Sequence, residues 1–119
     1  MLYQLRIYTL RSAHALERYA TVHWARHVPS LAMFGVTTHG VWKHRATQEH
    51  RLVVLVSYPP GADPEALTRD FMASPEFAAD MEGFDPEDIV AVDSLLLAPT
   101  GLQFAGGLRS EEKAASRVR

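Results

Sequence analysis

The chain has 119 residues, a formal net charge of −2 and no cysteine. A chain of this length forms one domain with a single core, and the lack of cysteine excludes disulfides, thiolate zinc sites and cysteine nucleophiles. The small net charge gives no electrostatic reason to expect nucleic acid or an anionic membrane as a partner. The first residues alternate in polarity and include Arg6. This pattern is typical of neither a signal peptide nor a membrane span, so we expect a cytoplasmic protein.

The first half of the chain predicts three strands and one helix. Residues 2–9 alternate as a strand. Ser12 is a suitable N-cap for a helix that runs to Pro29, where the missing N–H and the ring predict its end. Residues 36–43 and 51–58 form the next two strands, joined by a polar hairpin connection. The segment 51–58 is apolar on both faces, which is typical of a central strand.

The second half predicts two short helices and one more strand. Asp63 and Ser74 are each followed by a proline and a glutamate, a pattern typical of helix starts. Residues 88–98 form the last strand. We therefore expect residues 1–100 to form the domain, and residues 101–119, which lack apolar periodicity, to form a mobile tail.

The order β-α-β-β-α-β predicts an α+β, ferredoxin-like fold, in which helices cover one face of a four-stranded antiparallel sheet. The other face then exposes strands as apolar as 51–58 and 89–97, a larger patch than a monomer normally presents to water. A second copy packed sheet on sheet covers both patches at once. We therefore expect a homodimer.

Several short motifs resemble the NIPSNAP family within the dimeric α/β-barrel superfamily. They are Y-Q-L-R-I-Y-T-L at the start, H-V-P-S-L-A-M-F-G after the first helix, G-V-W in the second strand, S-P-E-F at a helix start, and D-S-L-L-L-A-P near the end. The resemblance spans roughly residues 1–100. It implies a dimeric α/β barrel, built from two ferredoxin-like units that each hold a pocket between sheet and helices. That superfamily includes cofactor-free monooxygenases, polyketide cyclases, lactone isomerases, haem-degrading enzymes and members without known activity, so the resemblance implies no single reaction.

His23 and His27 are the main candidates for catalysis. In a helix they lie one turn apart, and on a helical wheel both fall in the middle of the buried stripe that contains Leu16. If this stripe faces the sheet, both imidazoles line the pocket. Burial favours neutral histidine, which is a competent general base near pH 7. The alternative is that each imidazole only hydrogen-bonds a backbone carbonyl or Tyr19 within the core.

The spacing of the two histidines also suits a metal ion, since side chains at i and i+4 converge on one helix face. His39 or Asp93 would then have to supply a third ligand. The helix lacks the glutamate of the H-E-x-x-H motif, and no third ligand is evident, so we expect neither a metal nor another cofactor.

Arg6 and Tyr8 share a face of the first strand, where they can orient an anionic or phenolic substrate and stabilise an oxyanion. The alternative for Arg6 is an ion pair, with Asp93 as its partner, or a place in the dimer interface. Large apolar and aromatic side chains complete the expected pocket wall, although such residues are equally typical of a core. These are Tyr19, Trp24, Trp42, Phe71, Phe77 and Met81.

Together these residues predict a cofactor-independent enzyme that acts on a small apolar, aromatic or polyketide-like molecule. Histidine would remove a proton from carbon or from a phenol while Tyr8 or Arg6 stabilises the oxyanion. Cyclisation, isomerisation, dehydration and monooxygenation all begin in this way, and the sequence does not select among them. The alternative is a non-catalytic ligand-binding or interaction protein of the same fold.

Overall fold

A computed structural model of the chain describes residues 1–45 and 47–102. Two helical regions alternate with four strands. The elements are β1 (Leu2–Leu10), α1 (Ala13–Arg18), a π-helical turn (Tyr19–His23), α2 (Trp24–Met33), β2 (Thr37–Lys43), β3 (His50–Tyr58), α3 (Pro64–Met72), α4 (Pro75–Asp80), a 3₁₀ turn (Pro86–Asp88) and β4 (Ile89–Leu97). Most of the predicted tail, residues 103–119, lies outside the described residues.

The four strands form one antiparallel sheet in the order β2-β3-β1-β4. The first helical region connects β1 to β2, and the second connects β3 to β4, so the prediction of a ferredoxin-like α+β fold is confirmed. Directly paired residues lie on the same face of a sheet. Arg6 is paired with Val54 on one side and with Ser94 on the other, and all three lie on the face that the helices cover.

The core lies between this face and the helices. Leu52, Val54 and Val56 of β3 are completely buried there, which explains why that strand is apolar. Trp24 and Leu31 of α2 pack against the same core. β4, by contrast, is an edge strand with several exposed apolar side chains, namely Val90, Val92, Leu95, Leu96 and Leu97.

The predicted helix starts are confirmed by their capping hydrogen bonds. The backbone N–H of Ala15 donates to Ser12 Oγ at 3.0 Å, and that of Glu65 donates to Asp63 Oδ1 at 3.1 Å. The N–H of Phe77 donates to Ser74 Oγ at 3.2 Å. Each cap satisfies a backbone donor that has no partner within the helix.

The prediction that the first helix ends at Pro29 is wrong, because Pro29 lies inside α2. The helix ends instead at a Schellman motif around Gly35, which has the left-handed φ of 84°. There the Val36 N–H donates to the Leu31 carbonyl at 3.0 Å, while both side chains are buried. Burial of these two side chains offsets the loss of the single backbone hydrogen bond that Pro29 removes from the helix.

Leu52→Ala is expected to lower the free energy of unfolding by about 2–5 kcal/mol, because it leaves a cavity beneath the helices. Leu102→Ala, at a side chain that is 76% exposed, is a matched control and should change it by less than about 0.5 kcal/mol. Urea unfolding monitored by circular dichroism measures both. Equal effects of the two substitutions would contradict the placement of the core.

Candidate functional site

An open cavity of about 1130 Å³ lies between the sheet and the helices. Side chains from β1, β4 and α2 to α4 line it, as does Tyr19 from the π-helical turn. Most of the residues predicted from the sequence are among them, namely Arg6, Tyr8, Tyr19, Trp24, His27, Phe71, Phe77 and Met81. His23 and Trp42 are not.

The π-helical turn decides which side chains of the first helical region face inward. Ala15, Tyr19, His23, His27 and Leu31 are buried at intervals of four residues. On a straight α-helix each such interval rotates by about 40°, so the first and last of these residues would point in very different directions. The i→i+5 bonding of the π turn takes up part of that drift, and all five side chains remain buried.

His23 is fully buried but does not line the cavity, contrary to the prediction. Its Nδ1–H donates to the backbone carbonyl of Asp80 at 2.8 Å, which fixes the tautomer. Its Nε2 has no hydrogen-bond partner within the described part of the chain. The ring packs edge-on against Phe84. Through these contacts His23 joins the first helical region to the end of α4, which is a structural role.

His27 lines the cavity and is held by a carboxylate. Its Nδ1–H donates to Asp80 Oδ2 at 2.9 Å. The other carboxylate oxygen of Asp80 accepts a hydrogen bond from Ser30 Oγ at 3.1 Å, so the acid is itself oriented. With the proton on Nδ1, the Nε2 of neutral His27 carries the lone pair that a general base uses.

Burial lowers the pKa of His27 below its ordinary value of 6.5, and charge interactions with His23 and Arg6 act in the same direction. Asp80 opposes this shift through its hydrogen bond and its negative charge, without reversing it. His27 is therefore neutral at pH 7, the form in which it can accept a proton.

Asp80, which holds the candidate base His27, was not predicted from the sequence. It is the last residue of α4 and lies three residues after Phe77, on the same side of that helix. A carboxylate on the apolar side of a helix indicates a hydrogen-bonded partner, because an unpaired charge is rarely buried. The sequence did not show that its partners, His27 and Ser30, come from α2.

Aromatic rings surround His27. Phe77 stacks parallel to the imidazole at 5.6 Å between ring centroids, and Phe71 meets it edge-on at 5.5 Å. Trp24 and Tyr19 lie edge-on at 5.0 and 6.4 Å. Burial raises the pKa of Tyr19 well above the ordinary value, so its hydroxyl stays protonated. The wall beside the imidazole suits a flat, apolar ligand.

The floor of the cavity carries a polar cluster centred on Arg6. Its guanidinium donates from Nε to Gln4 Oε1 at 2.8 Å, from Nη1 to the Tyr8 hydroxyl at 3.2 Å, and from Nη2 to the Tyr58 hydroxyl at 2.8 Å. Burial acts to lower the pKa of Arg6, but charge and hydrogen-bond interactions with Tyr8 and Tyr58 raise it overall. Arg6 therefore remains a cation.

Asp93 is not the partner of Arg6. It pairs with Ile7 and so points to the opposite face of the sheet, whereas Ser94 is the residue opposite Arg6. His39 donates to, or accepts from, Ser57 Oγ at 2.8 Å, also away from the cavity. Within residues 1–45 and 47–102, no three histidine, aspartate or glutamate side chains converge as a metal site would require.

The prediction that Trp42 forms part of the pocket wall is wrong because β2 contains a bulge. The register shifts between Thr38 and Gly40, so that Val41 turns toward the helices and Trp42 toward the open face. Trp42 is 52% exposed there and lies over Gly40, where a Cβ atom would come within 2.1 Å of the ring.

Fold and cavity together define a ferredoxin-like α+β domain with an apolar cavity between sheet and helices. The NIPSNAP family model matches residues 3–103, and the chain belongs to the NIPSNAP family. Among the described residues, no helix has the length and apolar character needed to cross a membrane.

Solved structures of low sequence identity share the fold. A NIPSNAP domain protein from Burkholderia xenovorans is 17% identical, with 86% of this chain and 97% of that chain covered and a TM-score of 0.65. A NIPSNAP family protein of unknown function from Agrobacterium tumefaciens is 16% identical (83% and 87% covered, TM-score 0.66). A dimeric ferredoxin-like protein from an uncultured marine organism is 12% identical (87% and 99% covered, TM-score 0.59). No curated protein matches the chain in sequence.

The lowered pKa of His27 predicts that acid destabilises the fold. Unfolded histidine binds a proton below pH 6.5, whereas folded His27 resists it, so stability is full above pH 6.5 and falls as the pH drops toward the folded pKa. The loss is at most about 1.4 kcal/mol per pH unit. In a plot of the urea midpoint against pH, His27→Gln should reduce the slope below pH 6.5. His14→Gln, at an exposed residue, should leave that slope unchanged. Identical profiles for the two variants would contradict the assignment.

Proposed function

We propose that this protein is a cofactor-independent enzyme that uses His27 for acid/base chemistry on a small apolar, aromatic or polyketide-like molecule. The observation that carries the proposal is the hydrogen bond between His27, which lines the cavity, and the buried Asp80 behind it. A buried carboxylate that fixes the tautomer of a neutral imidazole is the arrangement that makes histidine an effective proton acceptor.

In the proposed reaction, His27 Nε2 takes a proton from a carbon next to a carbonyl, or from a phenol. Asp80 stabilises the imidazolium that forms, since the charge appears 2.9 Å from a carboxylate oxygen. Arg6 and Tyr8 stabilise the substrate oxygen on which negative charge develops. The imidazolium then returns the proton, so a cyclisation, isomerisation or dehydration needs no other acid. Oxygenation would start from the same carbanion, to which dioxygen adds, and the resulting hydroperoxide loses water to leave a carbonyl group.

The second candidate is a ligand-binding protein without catalysis. One observation favours it: the His27 side chain is only 3% exposed, and four aromatic rings pack around it. In that case Asp80 and His27 serve to join α2 to α4, and the ligand only fills the cavity.

His27→Gln is expected to lower turnover by about 10²–10⁴-fold, the usual contribution of general acid–base catalysis. The assay is exchange of carbon-bound hydrogen for deuterium in D₂O, followed by proton NMR over a panel of aromatic ketones and 1,3-dicarbonyl compounds. It measures proton removal directly, whatever reaction follows. Asp80→Asn should also slow exchange, because the carboxylate charge that stabilises the imidazolium is gone.

His23→Gln serves as the matched control, since His23 is buried one turn away but does not line the cavity. Its exchange rate should stay within a few-fold of the wild type. Equal rates in the wild type and in the folded His27→Gln variant would end the general-base proposal. Binding of panel members without any exchange would favour the ligand-binding protein.

We further propose that the protein is a homodimer that packs sheet on sheet. The open sheet face carries a continuous apolar surface from three strands, made of Tyr3, Leu5, Ile7, Val53, Leu55 and Leu95. Apolar patches of this kind mark protein interfaces. The ferredoxin-like protein from the marine organism, which has the same fold, is dimeric, and this supports a dimer here.

Leu95→Lys is expected to convert the dimer into a monomer at micromolar concentration, because it places a charge in the centre of the proposed interface. Met33→Lys, at a side chain that is 69% exposed on α2, should leave the dimer intact. Sedimentation velocity distinguishes the two species. A wild-type protein that is monomeric at this concentration would contradict the proposal.

A further inference from the structure

We infer that the cavity floor binds an organic oxyanion, a phenolate, an enolate or a carboxylate on an apolar body, and that Arg6 is the residue that selects it. This inference deepens the proposed function by naming the class of ligand. Its test measures binding alone, so the two proposals can fail separately.

Arg6 has no counter-charge among the described residues. Its guanidinium donates to Gln4, Tyr8 and Tyr58, which are neutral groups. None of the ion pairs in the described part of the chain includes Arg6. A cation at the bottom of a mostly apolar cavity costs free energy unless an anion joins it.

The guanidinium of Arg6 has N–H groups to spare. Arginine has five N–H groups, and three of them are engaged, so two remain for a ligand. Gln4 Oε1 accepts from both Arg6 Nε and the Tyr58 hydroxyl, at 2.8 Å each. That shared acceptor orients the guanidinium, so the site is built in advance of ligand binding.

Acids are unevenly distributed around the cavity. The carboxylates that line it are those of Asp63 and Glu65. Both residues are exposed at the start of α3, where Asp63 caps the helix. Asp80 is engaged by His27 and Ser30. The acids therefore leave the charge of Arg6 unneutralised on the floor.

Arg6 and His27 line the same cavity. The charge of Arg6 is among the causes that lower the pKa of His27, so the two groups share one electrostatic environment. A flat apolar ketone lying along Phe77 and Phe71 would place its oxygen toward Arg6 and its acidic carbon–hydrogen bond toward His27. The contact with Arg6 would therefore hold the substrate where His27 can remove its proton.

Two pairs of probes test the inference and separate its possible sources. The first pair is 2-naphthoate and its neutral amide, and the second is 4-nitrophenol and 4-nitroanisole. Titration calorimetry should show each anion binding about ten- to a hundredfold more tightly than its neutral partner, the usual gain from a charge-assisted hydrogen bond. A preference in the first pair alone points to carboxylates, and one in the second alone to phenols or enols.

Arg6→Met and Arg6→Gln should remove this preference while the neutral probes bind as before. Bound 4-nitrophenol gives a second readout, because a nearby cation lowers the pKa of a bound acid by about 1–3 units. Its absorbance should report that shift in the wild type and lose it in both variants. Circular dichroism confirms that the variants are folded.

Arg11→Met is the matched control, an exposed arginine whose ion pair is with Asp88. Arg69→Met tests the exposed arginine at the cavity rim. The inference is overturned if the wild type prefers neither anion, or if no probe binds at millimolar concentration. It is also overturned if the Arg6 variants keep the preference and Arg69→Met loses it. Anion binding without proton exchange leaves this site standing and ends the proposed reaction. Exchange without anion preference does the reverse.

Discussion

Asp80 is the residue on which the arrangement of the site depends. Its carboxylate accepts hydrogen bonds from His27 and Ser30, and its backbone carbonyl accepts from His23 and from Arg26 Nη1 at 3.1 Å. One residue at the end of α4 thus joins four side chains of the first helical region. Because Asp80 is buried, these bonds are formed in a medium that strengthens them and that makes an unpaired group costly. They hold α4 against α2 and so form one wall of the cavity.

The same contacts give the two histidines different roles. Both are buried on one stripe, but His23 donates to a carbonyl and His27 to a carboxylate. A carboxylate stabilises the imidazolium that proton transfer creates, whereas a carbonyl supplies only a dipole. The π turn contributes to this difference, since it helps to keep a stripe of period four buried over five positions. Chemistry and helix geometry are therefore coupled in this segment.

Much of the fold was predictable from local signals. Strand alternation, the caps at Ser12, Asp63 and Ser74, and the apolar run of β3 each state their structure within a few residues. The wrong predictions concern features that depend on contacts beyond the local sequence. Pro29 stays helical because Leu31 and Val36 pack beyond it, and a bulge reverses the side to which Trp42 points. Of the site, the cavity-facing residues could be predicted from their elements, but Asp80 could not, because its partner lies 53 residues away.

The central claim is that Asp80 holds His27 as a neutral base with its lone pair on Nε2. The most direct measurement is the nitrogen-15 spectrum of the histidine imidazoles in the full chain, with His27 assigned by comparison with His27→Gln. At pH 7 we expect a neutral ring with the proton on Nδ1 and an unprotonated Nε2, a state that Asp80→Ala should disturb. A proton on Nε2, or an imidazolium at pH 7, would contradict it.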